Sequence, residues 1–182
     1  KLLSGSLDTD LVISDLVDQV GKCRLSGHAG AITACQFIEK FKEVVVSSSK
    51  DMQVRFWNIE TQFCFKTIVD HHTEVWGLSL LRDDSFLVTG SKETALRVYR
   101  LSNNDASTAS DDDSMSPLRC NFVGTIQRTG RGRTVNLVTD SQGQMLGCTG
   151  TDDEIEIFYF FTPEESMKRL TKRLKKVSIK SD

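Results

Sequence analysis

Apolar and polar positions along this chain fall into short blocks rather than long stripes. AITACQFI (31–38), VWGLSLL (75–81) and VNLV (135–138) are apolar or β-branched runs, long enough for a strand and short for a buried helix. VRFWNI (54–59) and ALRVYRL (95–101) alternate apolar with polar residues, the two-residue period of a strand. Turn formers in SKD (49–51), RDDS (82–85) and DSQGQ (140–144) separate the runs. An all-β architecture of short hairpins is expected over residues 1–161.

The blocks repeat. LVISDL (11–16), VRFWNI (54–59) and LRVYRL (96–101) align with Ser14, Trp57 and Tyr99 in register, at steps of 43 and 42 residues. SGSLD (4–8), SSSKD (47–51) and TGSKE (89–93) keep the same register, as do SGHAGAIT (26–33) and VDHHTEVW (69–76). A fourth copy, CTGTDDEIEIF (148–158), puts Phe158 at the aromatic position 59 residues after Tyr99. The delay matches an inserted segment, SNNDASTASDDDSMSPL (102–118). Four short strands in roughly 42 residues describe one blade of a β-propeller. The chain should hold three strands of one blade, two complete blades and three strands of a fourth. Closed propellers use roughly four to eight blades and an open ring leaves bare sheet edges. These residues are therefore expected to be the C-terminal half of a propeller, about 3.5 blades, whose earlier blades lie outside this sequence.

His28, Ser47 and Asp51 invite comparison with a hydrolase triad. A catalytic serine faces a cleft beside oxyanion donors, and no G-x-S-x-G occurs in this sequence. SGH, then S-x-S-x-D, then W-N six residues on, resembles the WD-repeat family instead. That resemblance implies a buried hydrogen-bonded tetrad, His28, Ser47, Asp51 and Trp57 in the second copy. A histidine between a carboxylate and a hydroxyl has both ring nitrogens occupied. The third copy offers His71, Thr89, Glu93 and Tyr99. The first keeps Ser4 and Asp8 but has Ser14 in place of tryptophan. The fourth keeps Asp152, with Arg131 and Phe158 at the other diagnostic places.

Charge adds a second theme. The net charge of −2 divides into +4 from Pro163 onward and −6 for the remaining body. In the tail TPEESMKRLTKRLKKVSIKSD, Thr162 suits an N-cap, Pro163 the first helical position and Glu165 a capping box. Met167, Leu170, Leu174 and Val177 form one narrow apolar stripe among lysines and arginines. Residues 162–182 are expected as a basic amphipathic helix or linker, with Lys168, Arg169, Lys172, Arg173, Lys175 and Lys176 as candidate RNA or partner contacts. Docking of the stripe on the body is the plainer alternative. An aromatic-free stripe disfavours a membrane surface. Arg128, Arg131 and Arg133 in QRTGRGR (127–133) form a second candidate phosphate-binding group on a flexible loop. An unliganded surface loop is the alternative there.

The insertion 102–118 is poor in apolar residues and is expected to be a disordered acidic loop. Its Ser110, followed by three aspartates, suits an acid-directed kinase. No run approaches the roughly 20 apolar residues a membrane span requires, and no signal peptide is visible. Cys23, Cys35, Cys64, Cys120 and Cys148 contain no C-x-x-C spacing. They read as reduced, mostly buried thiols of an intracellular protein. Neither a metal nor a cofactor is expected.

The resemblance extends beyond the repeat. GSLDTDLVISDLV, CRLSGHAGAIT, KDMQVRFWNIETQFCFKTIV, HHTEVWGLSLL and GRTVNLVTDSQGQMLGCTGTDDEIEIF, followed by a lysine-rich helix, are similar to one particular family. It is the tandem-propeller WD-repeat subunit of the UTP-B subcomplex of the small-subunit processome (the WD repeat-containing protein three family). TQFCFKTIV and HTEVWGLSLL carry the most specific likeness. The resemblance implies a non-enzymatic nucleolar scaffold in ribosome biogenesis. It would assemble with other UTP-B proteins, with the U3 snoRNA particle and with pre-rRNA processed toward 18S rRNA. A generic WD-repeat adaptor, such as a ubiquitin-ligase substrate receptor or a signalling hub, is the competing reading.

Overall fold

The computed structural model describes residues 1–17, 20–104, 116–152 and 154–178. Its strands run in chain order as β1 (Leu2–Gly5), β2 (Leu11–Asp15), β3 (Val20–Leu25), β4 (Ile32–Ile38), β5 (Val44–Ser49), β6 (Val54–Asn58) and β7 (Phe63–Ile68). They continue as β8 (Val75–Leu81), β9 (Phe86–Ser91), β10 (Ala95–Asn103), β11 (Leu118–Gln127), β12 (Thr134–Thr139), β13 (Met145–Gly150) and β14 (Ile155–Tyr159). Helix α1 (Pro163–Ser178) follows. Each sheet is antiparallel and keeps sequence order: β1-β2-β3, β4-β5-β6-β7, β8-β9-β10-β11 and β12-β13-β14. This is the expected sequence of partial, full, full and partial blades.

Blades meet through their innermost strands, β1 against β4, β4 against β8, and β8 against β12. The period of two then does the packing. In β6, Phe56 points into the seam with the third blade, while its neighbour Trp57 points into the seam with the first. In β9, Leu87 enters the seam with the second blade and Val88 the seam with the fourth. Both faces of the central blades are thus covered, and every residue of β5, VVVSSS, is buried. Polar ties cross the seams as well: Thr33 Oγ1 donates to the Val75 carbonyl at 2.6 Å, and the Ile32 amide to the Ser6 carbonyl at 3.0 Å.

Strand alternation sorts the connections onto two rims. The hairpins β1–β2, β5–β6, β9–β10 and β13–β14 and the links between blades share one rim; the hairpins β4–β5, β8–β9 and β12–β13, the insertion and α1 share the other. Strands β10 and β11 extend further than the insertion 102–118 allows. Ser102 and Asn103 pair with Arg119 and Leu118, and Leu118 is buried in the core. Asn104 Nδ2 donates to the Ser116 carbonyl at 3.1 Å. The two strands thus cross-link the insertion's ends into the sheet. Ser110 lies outside the described residues. Among the cysteines only Cys148 is fully buried and the other four are half-buried, so the expectation of mostly buried thiols holds for one. No described helix is long and apolar enough to cross a membrane.

Candidate functional site

In the second blade the structure brings four side chains into one chain of hydrogen bonds. His28 Nδ1 lies 2.7 Å from Asp51 Oδ2, His28 Nε2 lies 2.8 Å from Ser47 Oγ, and Trp57 Nε1 donates to Ser47 Oγ at 2.8 Å. Proton placement follows from the donor inventory. An ionised Asp51 only accepts, so His28 Nδ1 carries the proton and Nε2 accepts. Ser47 therefore donates to His28 while accepting from the indole. Burial pushes the His28 pKa down, partly opposed by Asp51, which keeps the ring neutral. Burial alone would raise the Asp51 pKa, but the Ala29 amide and His28 outweigh it and hold the carboxyl low. Ser47 is 0% exposed, so a substrate carbonyl has no approach to its oxygen. Local sequence builds this geometry: Ser49 and Asp51 cap the hairpin, accepting from the Asp51 and Gln53 amides at 3.1 and 3.0 Å.

The third blade departs from the expected set. His71 Nε2 meets Thr89 Oγ1 at 2.9 Å, yet His71 Nδ1 is buried without a partner. Glu93, one methylene longer than aspartate, turns to Arg97 at 3.1 Å. Tyr99 donates its hydroxyl to Asp70 at 3.2 Å instead of reaching Thr89. Burial, helped by Asp70, pushes the Tyr99 hydroxyl above its ordinary pKa. Burial first, and Arg97 second, lower the His71 pKa to about 4. The first blade's Ser4 donates to the Val12 carbonyl at 3.3 Å, and Asp8 accepts from Arg24 at 3.5 Å.

In the fourth blade a buried arginine takes the central place. The Arg128 side chain is 0% exposed; Nε donates to Glu156 Oε2 at 2.9 Å and Nη1 to the Gly132 carbonyl at 2.7 Å. Its Nη2 faces Asp152 Oδ1 at 3.8 Å. The Asp152 pKa is lowered chiefly by the Gly132 amide. Burial raises the Glu156 pKa, but the Thr129 amide and Arg128 more than offset it. Gly150 makes the space: a Cβ there would collide with Asp152 and Arg128. Arg128 is therefore unavailable to phosphate, correcting its place among the RNA contacts, because two carboxylates draw it inward. Arg131 and Arg133 do stand exposed, with the Arg133 guanidinium 4.0 Å from the Trp76 ring centre. Phe158 packs against the core between the third and fourth blades.

Helix α1 begins with the reciprocal cap its sequence encodes. The Glu165 amide donates to Thr162 Oγ1 at 3.1 Å, and the Thr162 amide to Glu165 Oε2 at 2.9 Å. Lys168 and Arg169 are exposed, and the Arg169 guanidinium covers the Phe161 ring at 3.7 Å. Met167 and Leu170 stand 63% and 55% exposed, so this part of the stripe is undocked among the described residues. Lys172, Arg173, Lys175 and Lys176 continue along the same helix. Two residues absent from the expected sites, Lys50 and Trp76, lie beside Arg133. The repeat register gave no signal for them, since Lys50 aligns with Lys92 and Trp76 with Thr33.

The polar pinning of the second blade is the arrangement that the WD-repeat resemblance implies. Residues 21–58 and 62–100 match the WD40 family, described as WD domain, G-beta repeat, and these segments are WD40 repeats. Among curated relatives, WD repeat-containing protein 3 of Mus musculus is 36% identical over 70 residues, covering 37% of this chain and 7% of the relative. Nuclear distribution protein nudF of Aspergillus niger is 29% identical over 79 residues, 43% of this chain and 18% of the relative. Pre-mRNA-processing factor 19 of Bos taurus is 29% identical over 93 residues, 51% of this chain and 18% of the relative. The matches thus span less than a fifth of each relative's length.

Proposed function

We propose that this chain is a non-enzymatic scaffold of nuclear RNA processing, working in ribosome biogenesis as a component of the U3 snoRNP and small-subunit processome. In this reading residues 1–161 are propeller and residues 162–182 are a basic linker. Other UTP-B proteins dock on the rims, and pre-rRNA and U3 snoRNA are contacted directly or through those proteins in the nucleolus. The observation that carries it is a set of blades packed face to face and joined to a capped basic helix whose residues 164–171 are exposed, with the suspected nucleophile Ser47 consumed by His28 and Trp57. Support for the particular assembly comes from TQFCFKTIV and HTEVWGLSLL and from the stretches shared with WD repeat-containing protein 3. The pre-mRNA-processing relative supports the broader RNA theme.

Capture of the tagged protein from cells tests the assignment: UTP-B proteins and U3 snoRNA should be recovered together. Recovery of cullin-type ligase subunits without RNA would replace it with the adaptor reading. RNA binding by α1 has its own test. Neutralising Lys172, Arg173, Lys175 and Lys176 should flatten the salt dependence of RNA binding, by a slope of roughly 0.7 for each phosphate that α1 neutralises. An unchanged slope removes α1 from the RNA interface.

A further inference from the structure

Trp76, the second residue of β8, stands on the rim that carries the β5–β6 and β9–β10 hairpins, and cations from the neighbouring blades converge on it. Lys50, from the hairpin of the preceding blade, sets its Nζ 4.8 Å from the ring centre, and Arg133, at the entry to the following blade, sets its guanidinium 4.0 Å from it. Both cations are exposed and the indole is half-buried. Neither cation has a carboxylate partner among the described residues, although Arg24, Arg97 and Arg128 are all paired. Arg131 is exposed on the same loop as Arg133, and Glu74 is the exposed acid just before β8. Cations over an indole gain from the ring quadrupole, and the interaction holds them in position without neutralising their charge. The result is two preplaced donors flanking an apolar ring edge, contributed by three consecutive blades.

We propose that Lys50, Trp76 and Arg133 form a docking site for an acidic segment of a partner protein. Its carboxylates or phosphoryl groups bridge Lys50 and Arg133, while an apolar side chain packs on the indole. Charge complementarity chooses the occupant. The hairpins and links of the same rim carry Asp8, Asp51, Glu74, Glu93 and Asp152, so a long polyanion laid across it meets carboxylates beyond the patch. A short acidic segment needs only the local cations. The proposal concerns a surface separate from α1 and does not depend on the ribosome-assembly reading.

The test uses the full chain and two fluorescein-labelled peptides, one with a leucine flanked by glutamates and one with phosphoserines in place of the glutamates. Oligouridylate RNA of matching formal charge is the third probe. At least one peptide should bind and alter tryptophan emission through Trp76, because the other tryptophan, Trp57, is buried in the core. K50Q/R133Q and W76L should each weaken binding by about tenfold while leaving the thermal midpoint in place. K50R/R133K should restore most of the affinity, and neutralising Lys172, Arg173, Lys175 and Lys176 should leave peptide binding unchanged. Absence of peptide binding, or affinity indifferent to K50Q/R133Q, would overturn the proposal. So would tighter binding of RNA than of peptide through the same residues.

Discussion

Replacing Ser47 with alanine removes one hydroxyl on which two buried ring systems converge. Trp57 Nε1 loses its acceptor and His28 Nε2 its donor, both satisfied at 2.8 Å in the native chain. Each buried polar group left unpaired costs about 1–3 kcal/mol, so Ser47→Ala should destabilise the chain by roughly 3 kcal/mol. For a chain of this size that corresponds to a fall in thermal midpoint of about 6–12 °C. Thr89→Val is the internal comparison, since Thr89 serves only His71 and valine preserves its shape. There the loss should be about 1 kcal/mol. Urea denaturation followed by tryptophan emission compares the two. In a Trp57→Phe background the indole donor is already gone, so Ser47→Ala should cost about 1 kcal/mol less than in the native chain. Equal losses for Ser47→Ala and Thr89→Val, or strict additivity with Trp57→Phe, would refute the proposed division of hydrogen bonds.

Other outcomes follow from the same geometry. The folded chain holds His71 at about 4, so on acidification the unfolded chain takes up its proton first. His71 should leave stability intact above pH 6.5 and lower it by about 3 kcal/mol as pH drops from 6.5 to 4; His71→Gln should make pH-dependent urea titrations shallower by that amount, leaving the part that His28, also lowered by burial, supplies. Arg128→Met leaves the largely buried Glu156 without its cation and should cost about 3 kcal/mol, read by thermal denaturation. Thr162→Ala breaks the reciprocal cap on α1 and should weaken the helix by about 1 kcal/mol, seen as reduced helical ellipticity with the sheet signal unchanged.

How far the candidate sites were legible depended on how local their causes are. The second-blade set could be read through the WD-repeat resemblance, because His28, Ser47, Asp51 and Trp57 sit at fixed offsets within one blade and the loop before it. The third-blade set could be aligned but not read. Whether Glu93 reaches His71 or Arg97, and whether Tyr99 reaches Thr89 or Asp70, is decided by side-chain length and by what faces each group across the blade. Arg128 looked like a surface arginine in a glycine-rich loop. Nothing in QRTGRGR records that Glu156, on a strand two positions away in the sheet, draws it inside.

The sequence by itself determined the strands, their grouping into blades and the capped basic helix. Those features follow from alternation, turn residues and capping residues, all acting over a few positions. Tertiary structure alone decided which polar groups are used internally and which remain free. It buried Arg128 and gathered Lys50, Trp76 and Arg133 from three blades onto one rim. The physical reason is that hydrogen-bond satisfaction and charge pairing depend on distances across blade seams, which a repeat register orders but does not measure.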